Sequence, residues 1–509
     1  VPGGSRLALA LLPAGALHAL AFGPWPQWWL QLAMLALGLH LLLRAAAGRG
    51  ARAALPGAFA FALGHFMAGL CWLHVSMHDH GGMPWLLAAA ALAAFAAYLA
   101  LFPAAACALA LAVGGPIPGW RAGAALAGAW TLAELARGWL FTGFPWLAIG
   151  YAHVDGPLGA LAPLLGAHGA GLVAVLAAAL LAQAALPGLA ASQRGCLAGA
   201  AAALLAAAQA LGTLSFVQPT GAPLTVRLVQ GNVPQSLKFD PRRAELAMDA
   251  YARGVVESRA TLTVLPETAW VTPWSATPPA IRDAITDTLR ERAALLALGV
   301  PLIDPGAAGG GPRITNSVLL LDGERQAGRY DKQHLVPFGE FIPWGFGWFV
   351  RLMNIPLGSF ARGAEQQPAF EVGDQRIAPN ICYEDLFGHE IARALRAPVS
   401  ATVLLNLSNI AWFGDSHAPG QHLEISRMRA RETGRPMLRA TNTGVTAAID
   451  HRGEVTARLP GHREGVLDVT VQGTTGLTPY ARAGEWPVAG LAAALLIVAG
   501  ARRRRAPIQ

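Results

Sequence analysis

Ala378-Pro-Asn-Ile-Cys-Tyr-Glu-Asp385 is the stretch on which the reading of this chain turns. An apolar strand pattern runs into a cysteine, and the helical pattern of 386–396 begins just behind it. A strand that passes at once into a helix is an α/β arrangement, and the turn exposes whatever residue stands there. Here that residue is Cys382, and the backbone N–H groups that follow it are placed to bind an oxyanion.

Working outward, apolar β-branched runs recur at 224–229, 261–265, 314–321, 402–407 and 444–449. Helical patterns at 240–258, 279–297, 386–396 and 419–434 alternate with them. This predicts an α/β domain with buried strands over 220–480, long enough for its own core.

Two other segments of that domain carry candidate chemistry. Thr261-Leu-Thr-Val-Leu-Pro-Glu267 sets a carboxylate just past a strand end. Tyr330-Asp-Lys332-Gln-His334-Leu-Val-Pro-Phe-Gly-Glu340 supplies an ammonium and a second carboxylate. A free thiol titrates at about 8.5 and needs a base to become a good nucleophile. Glu267 is the candidate base, and Lys332 with the backbone N–H of Tyr383 the candidate oxyanion donors. The thioester so formed would be attacked by an amine or by water. His334 reads as a candidate base or, by preference, a packed structural histidine.

The rest of the chain is of another kind. Of 509 residues 54% are hydrophobic and only 13% charged, half the charge of an ordinary soluble protein, which points to a bilayer. Eight apolar stretches could cross about 30 Å of hydrocarbon, near 6–22, 27–43, 55–76, 84–112, 120–140, 161–186, 195–216 and 485–501. The fourth contains Pro103 and reads as one kinked helix or a helix with a re-entrant piece. The domains expected are a membrane domain over 1–219 with seven spans, the α/β domain over 220–480, and a last span with a basic tail over 481–509.

Positive charge chooses the orientation. Arg6, Arg44, Arg49, Arg52, Arg121, Arg194 and Arg502–Arg505 fall on one face of this arrangement, which the positive-inside rule makes cytoplasmic. The 220–480 domain is then extracytoplasmic. Trp25, Trp28, Trp29, Trp72, Trp85, Trp139 and Trp146 cluster at span ends and read as interfacial aromatics. Glu134 and Arg137, three apart, read as a self-neutralising pair or as a contact to a headgroup or to the soluble domain. The net charge is +8, and its most concentrated basic cluster, Arg502–Arg505, directly follows an apolar span, so no nucleic-acid partner is expected. No cleavable signal peptide is read, since the first apolar segment is followed by more of them.

Cys71, Cys107 and Cys196 lie in or beside predicted spans, as small packed hydrophobes. Cys382 is left without a disulfide partner in its domain, so it is either a shielded structural residue or one in use. No metal cluster, phosphate loop or dinucleotide fingerprint is evident, and no cofactor is expected.

The order Glu267, Lys332, Cys382, with the runs LPETAW, YDKQHLVPFGEFIP and NICYEDLFG, resembles the nitrilase superfamily. Together with the membrane body, WTLAELARGWLFTGFPW, QGNVPQSLKFD, NLSNIAWFGDSHAPGQH and RATNTGVTAAID narrow the resemblance to the apolipoprotein N-acyltransferases. It implies an α-β-β-α sandwich on an eight-helix body in a bacterial inner membrane, the catalytic domain on the periplasmic side. It implies a phospholipid as acyl donor and a diacylglyceryl-modified apolipoprotein as acceptor. Carried over by motif, Cys382 is nucleophile, Glu267 base and Lys332 oxyanion stabiliser, with Glu340, Tyr383, Glu384, Phe239 and Trp412 as supporting residues. The chain departs from the family at Ile410, where Asp is usual, and at Phe239, where Trp is common.

The segment holding Trp344, Trp348 and Phe349 is too apolar for a loop in water and reads as a mobile lid that admits acyl chains from the outer leaflet. Two other functions remain open on the residues. One is a membrane-tethered amide hydrolase that uses water as acceptor. The other is a non-catalytic lipoprotein-binding membrane protein.

Overall fold

A computed structural model describes residues 4–23, 27–115, 119–235, 241–305, 311–347, 360–397 and 400–501. Phe239, Trp348, Phe349, Trp25 and the arginine cluster 502–505 lie outside the described residues. The chain divides into two compact units, one of Val1–Leu73, Leu86–Ser215 and Ala483–Gln509, the other of His74–Trp85 and Phe216–Arg482.

In the second unit β1 (Gln218–Pro219) pairs with β14 (Thr474–Thr475) as a short ribbon. The other strands form two sheets. One has the order β13-β2-β3-β4-β5-β6, with β2 at Leu224–Gln230, β3 at Leu262–Val264, β4 at Leu295–Asp304, β5 at Arg313–Asp322, β6 at Arg325–Asp331 and β13 at Gly465–Val471. The other has the order β12-β11-β10-β9-β8-β7, with β7 at Phe370–Val372, β8 at Gln375–Ile381, β9 at Val403–Ser408, β10 at Met437–Thr441, β11 at Ala447–Ile449 and β12 at Val455–Arg458. The central strands β2, β3 and β4 run parallel, as do β8, β9 and β10.

Alternate residues of these strands go to different cores. Val226 and Leu228 meet Val264, Ile381, Val403 and Leu405 between the sheets. The outer face of the first sheet packs through Val229 and Leu296 on Tyr251, Ile285 and Leu289 of helices Pro241–Val256 and Pro279–Arg292. The outer face of the second packs through Leu404 and Met437 on Leu395 and Leu423 of helices Gly388–Leu395 and Ala418–Thr433. This is an α-β-β-α sandwich, and strands buried on both faces explain the near-continuous apolar runs.

The helical pattern of 279–297 is corrected by the structure. Helix Pro279–Arg292 stops at Ala293, which takes a left-handed φ of 49°, and the apolar residues beyond it become β4 between β3 and β5. Strand β10 escapes an apolar-run reading because it carries Arg439 in its middle.

The first unit is helical. Among the described residues five helices are long and apolar enough to cross a membrane: Gly4–Phe22, Trp28–Arg49, Trp85–Gly114, Pro157–Ala184 and Ala191–Leu211. A broken pair, Ala51–Gly69 and Leu73–His80, makes six if taken as one span. The remaining two expected spans form helices too, but Trp120–Arg137 carries three charged residues and Trp486–Gly500 has only 15 residues. The chain is a multi-pass membrane protein; the count of eight is not reached by length and composition. Pro103 sits inside one continuous helix, Trp85–Gly114.

Close approach of backbones marks the packing of helices Gly4–Ala19 and Leu55–Gly69. A Cβ on Gly15 would meet the Phe61 carbonyl oxygen at 1.8 Å, and one on Gly64 would meet that of Leu12 at 1.9 Å. Small residues at a helix crossing allow such contact where no hydrophobic drive separates protein from lipid. Buried polar groups satisfy one another: His18 Nδ1 lies 3.0 Å from His65 Nδ1, Gln31 Nε2 lies 3.1 Å from His18 Nε2, and Gln31 Oε1 lies 2.9 Å from His153 Nε2.

Glu134 and Arg137 are an internal pair 4.0 Å apart, both buried. Arg137 Nη1 donates to the carbonyls of Phe144 and Trp146, and Glu134 Oε1 accepts the N–H of Ile149, so the pair pins the loop after its helix. Two tryptophan expectations are corrected: Trp72 and Trp146 are buried and packed together at 4.9 Å, whereas Trp29, Trp85 and Trp139 are exposed. Cys107 is buried as expected, but Cys71 and Cys196 are exposed.

Candidate active site

The chemistry-bearing residues stand where strands of the sandwich end. Glu267 lies three residues past β3, Lys332 directly follows β6, and Cys382 directly follows β8. Gly299 on β4 lets the first of these turns approach: a Cβ there would sit 2.2 Å from the Pro266 carbonyl oxygen.

Lys332 is held between two carboxylates. Its Nζ donates to Glu267 Oε1 at 3.3 Å and to Glu340 Oε1 at 3.0 Å. Asn316 on β5 bridges the same two oxygens through Nδ2, at 2.8 Å each. The far oxygens are tied to backbone, Glu267 Oε2 to the N–H of Asn409 at 2.8 Å and Glu340 Oε2 to that of Val336 at 2.8 Å. Lys332 is 1% exposed and the two carboxylates 7% each. Burial works against the ammonium charge, but Glu267 and Glu340 outweigh it and hold the amine above its usual range. Lys332 therefore stays a cation and cannot serve as the base.

Cys382 is half-buried at the head of the 3₁₀ turn Cys382–Leu386, with a left-handed φ of 52°. That conformation costs a non-glycine residue about 1–2 kcal/mol, and such strain collects at functional turns. Burial, then the Glu267 charge, push its thiol up to about 12, while Lys332 and the Ser408 hydroxyl pull the other way. At pH 7 only about one molecule in 10⁵ would hold a free thiolate at such a value, so a base must take the proton as the thiol attacks.

Glu384 secures the loop that carries Lys332. Its Oε1 accepts the N–H groups of Gln333 and His334, and its Oε2 those of Ile381 and the Tyr330 hydroxyl. Tyr383 packs its ring near His334 and Phe387 at 5.7 and 5.3 Å. His334 stacks on Phe387 at 3.5 Å and meets Glu390 Oε1 at 2.9 Å, a packed residue as read from the sequence. Trp412 lies further off, edge-on to His80 at 5.7 Å. Trp344 is 99% exposed.

The structure thus brings Glu267, Lys332 and Glu340 into direct contact and sets Cys382 within reach of their charges. Sequence reading missed Asn316 and Asn409. Asn316 was signalled by polar residues interrupting an apolar strand at Thr315-Asn316-Ser317, all buried. Asn409 acts through its backbone, which leaves no trace in residue type.

Comparison with known proteins covers both units. Residues 14–180 match the model of the apolipoprotein N-acyltransferase N-terminal domain, and residues 225–480 that of carbon-nitrogen hydrolase. Apolipoprotein N-acyltransferase of Bordetella bronchiseptica is 47% identical over 539 residues, covering 98% of this chain and 97% of that protein. That of Ralstonia nicotianae is 48% identical over 503 residues, with 97% and 92% covered. That of Nitrosomonas europaea is 40% identical over 503 residues, with 96% of each covered. At such identity along the whole length, this chain belongs to the apolipoprotein N-acyltransferase family.

Proposed function

We propose that the chain transfers an acyl group from a membrane phospholipid to the N-terminal diacylglyceryl-cysteine of an apolipoprotein, through a thioester on Cys382. The observation that carries this reading is the buried cation Lys332, set between Glu267 and Glu340 beside a thiol on a strained turn. Membership of the family, whose named relatives are apolipoprotein N-acyltransferases, supports the acceptor class.

In the first half-reaction Glu267 takes the thiol proton as Sγ bonds to the ester carbonyl carbon. Negative charge develops on the carbonyl oxygen and is met by the Lys332 ammonium and the Tyr383 N–H, each donor contributing about 3–4 kcal/mol in a dry site. Collapse expels the lysophospholipid alkoxide, which receives the proton back from Glu267. In the second half the acceptor's α-amine attacks the thioester and yields a proton to Glu267. Collapse then breaks the C–S bond, leaves the amide, and returns that proton to the thiolate. Glu340 and Asn316 keep Lys332 charged and aimed, and Glu384 fixes the loop behind it.

Residues 220–480 act as the catalytic domain on the periplasmic side of a bacterial inner membrane, with 1–219 and 481–509 as an eight-span anchor. The one-sided arginines support that orientation, and the five or six long apolar helices among the described residues support a multi-pass anchor. Exposed Ile342, Trp344 and Phe346 support a lipid-contacting lid.

The test is mass spectrometry of the Cys382 peptide after exposure of the full chain to bilayer phospholipid. A hydroxylamine-labile fatty acyl adduct, absent in Cys382→Ala, is expected; its absence would overturn the reading. The match of 225–480 to carbon-nitrogen hydrolase favours a second reading, hydrolysis of an amide with water as acceptor. An adduct that persists in water until an amine acceptor is added separates transfer from hydrolysis.

A further inference from the structure

Behind the nucleophile lies a polar cluster that the proposed reaction does not use. The carbonyl oxygen of Cys382 accepts from Asn406 Nδ2 and from His422 Nε2, each at 3.2 Å. Asn406 sits on β9, and its other amide hydrogen goes to Asn380 Oδ1 at 2.6 Å. His422 lies on helix Ala418–Thr433 with its Nδ1 3.1 Å from Arg439 Nη2. A guanidinium only donates, so the ring hydrogen of His422 is on Nε2, facing the Cys382 carbonyl. That N–H is shared with Asp385 Oδ1 at 2.7 Å, and Asp385 Oδ2 accepts from Arg439 Nη1 at 3.2 Å and from the Ser426 hydroxyl. All of these side chains are 0–3% exposed.

The consequence is geometric. A trans peptide is planar, and its C=O and N–H point in opposite directions. With the Cys382 carbonyl held toward Asn406 and His422, the amide hydrogen of Tyr383 is directed the other way. The same two bonds fix the plane of the Cys382–Tyr383 peptide. Rotation of this peptide, through ψ of Cys382 and φ of Tyr383, would carry the amide hydrogen away.

We propose that His422 and Asn406 are positioning residues that clamp the Cys382–Tyr383 peptide, so that the Tyr383 amide is presented to the acyl oxygen as the thioester forms. Asp385 and Arg439 act through His422 by fixing its ring orientation and tautomer, as outer partners do for a ligating histidine. The inference rests on the acyl-enzyme reading above.

Two reactions of the same sulfur test it. Acylation by phospholipid passes through a tetrahedral oxyanion, whereas alkylation by iodoacetamide is a direct displacement that develops none. Both are read on the Cys382 peptide of the full chain by mass spectrometry. His422→Leu is expected to slow acylation by about ten- to a hundredfold, with KM for phospholipid unchanged. Alkylation should stay within about threefold of the parent, and His422→Gln, whose amide can donate to the same carbonyl, should recover most of the acylation rate. Parental acylation in His422→Leu overturns the clamp. So does a parallel fall of acylation, alkylation and melting temperature, which would mark His422 as fold support alone. If His422→Leu does not fold, Asn406→Ala carries the same comparison with the same outcomes. A parent chain that forms no labile adduct on Cys382 sinks the acyl-enzyme reading and the clamp with it; a parent adduct with unaffected variants sinks only the clamp.

Discussion

The backbone N–H of Asn409 donates to Oε2 of Glu267 at 2.8 Å, joining the turn after β9 to the turn after β3. A backbone donor does not depend on the side chains beside it. The next residue, Ile410, is 1% exposed against Gly444. Ile410→Asp is therefore expected to bury an unmatched carboxylate and destabilise the chain by about 2–5 kcal/mol. Acyl transfer per folded molecule should change less than about threefold, since the bond to Glu267 survives. Melting temperature and adduct formation measured together decide it; a stable, markedly faster variant would contradict the argument.

Lys332 is the next target. Lys332→Met leaves Glu267 and Glu340 sharing one Asn316 amide with no cation between them. Loss of one partner from a buried ionic cluster costs about 3–5 kcal/mol, and loss of an oxyanion donor about 10²–10³ in rate. Lys332→Arg is not expected to rescue, because a planar fork does not fit a site built around a point charge and 1% exposed. Single-turnover release of lysophospholipid reads the rate, and near-parental release from either variant would exclude the assigned role.

Burial pushes the Glu384 carboxyl from 4.5 up to about 7, against the pull of Lys332 and the N–H groups of Ile381, His334 and Gln333. The folded state then keeps a proton that the unfolded chain releases. The stabilisation is complete below about pH 4.5 and is lost as pH rises through about 7, a change of about 3 kcal/mol at most. The melting temperature in detergent micelles should fall between pH 5 and pH 8, and Glu384→Gln should melt lower but without that slope. A flat parental profile would count against the shift.

Trp344 is 99% exposed, with Ile342 and Phe346 beside it at 46% and 44%. Removing an indole that touches nothing should leave stability within about 0.5 kcal/mol. If the segment meets lipid, Trp344→Ala slows acylation from vesicle phospholipid by about tenfold while iodoacetamide labels Cys382 as before. Unchanged acylation would remove the lid from the proposal.

The alternation of strand and helix over the second unit was legible because strands buried on both faces write long apolar runs, as at 314–321 and 402–407. Strands that carry buried polar residues, such as β10 around Arg439, were not, since an apolar-run reading has no way to anticipate a partner such as Asp385 supplied from 54 residues away. The positions of the five long apolar helices were legible for a related reason, because hydrocarbon demands length and apolarity of each helix separately. The burial of Trp72 against Trp146 was not, because it depends on how helices pack.

By itself, the sequence determined that a thiol and a carboxylate would each end a strand of an α/β domain carried by a multi-pass membrane body, with an ammonium and a second carboxylate in a segment between them; strand period and span length are local properties of the chain. Only the tertiary structure decided that Lys332 would lie between Glu267 and Glu340, that Asn316 and Asn409 would hold the carboxylates, and that His422 would reach the carbonyl of Cys382. Those contacts join residues 8 to 142 positions apart, and their geometry is set by sheet order and register rather than by any residue's own preference.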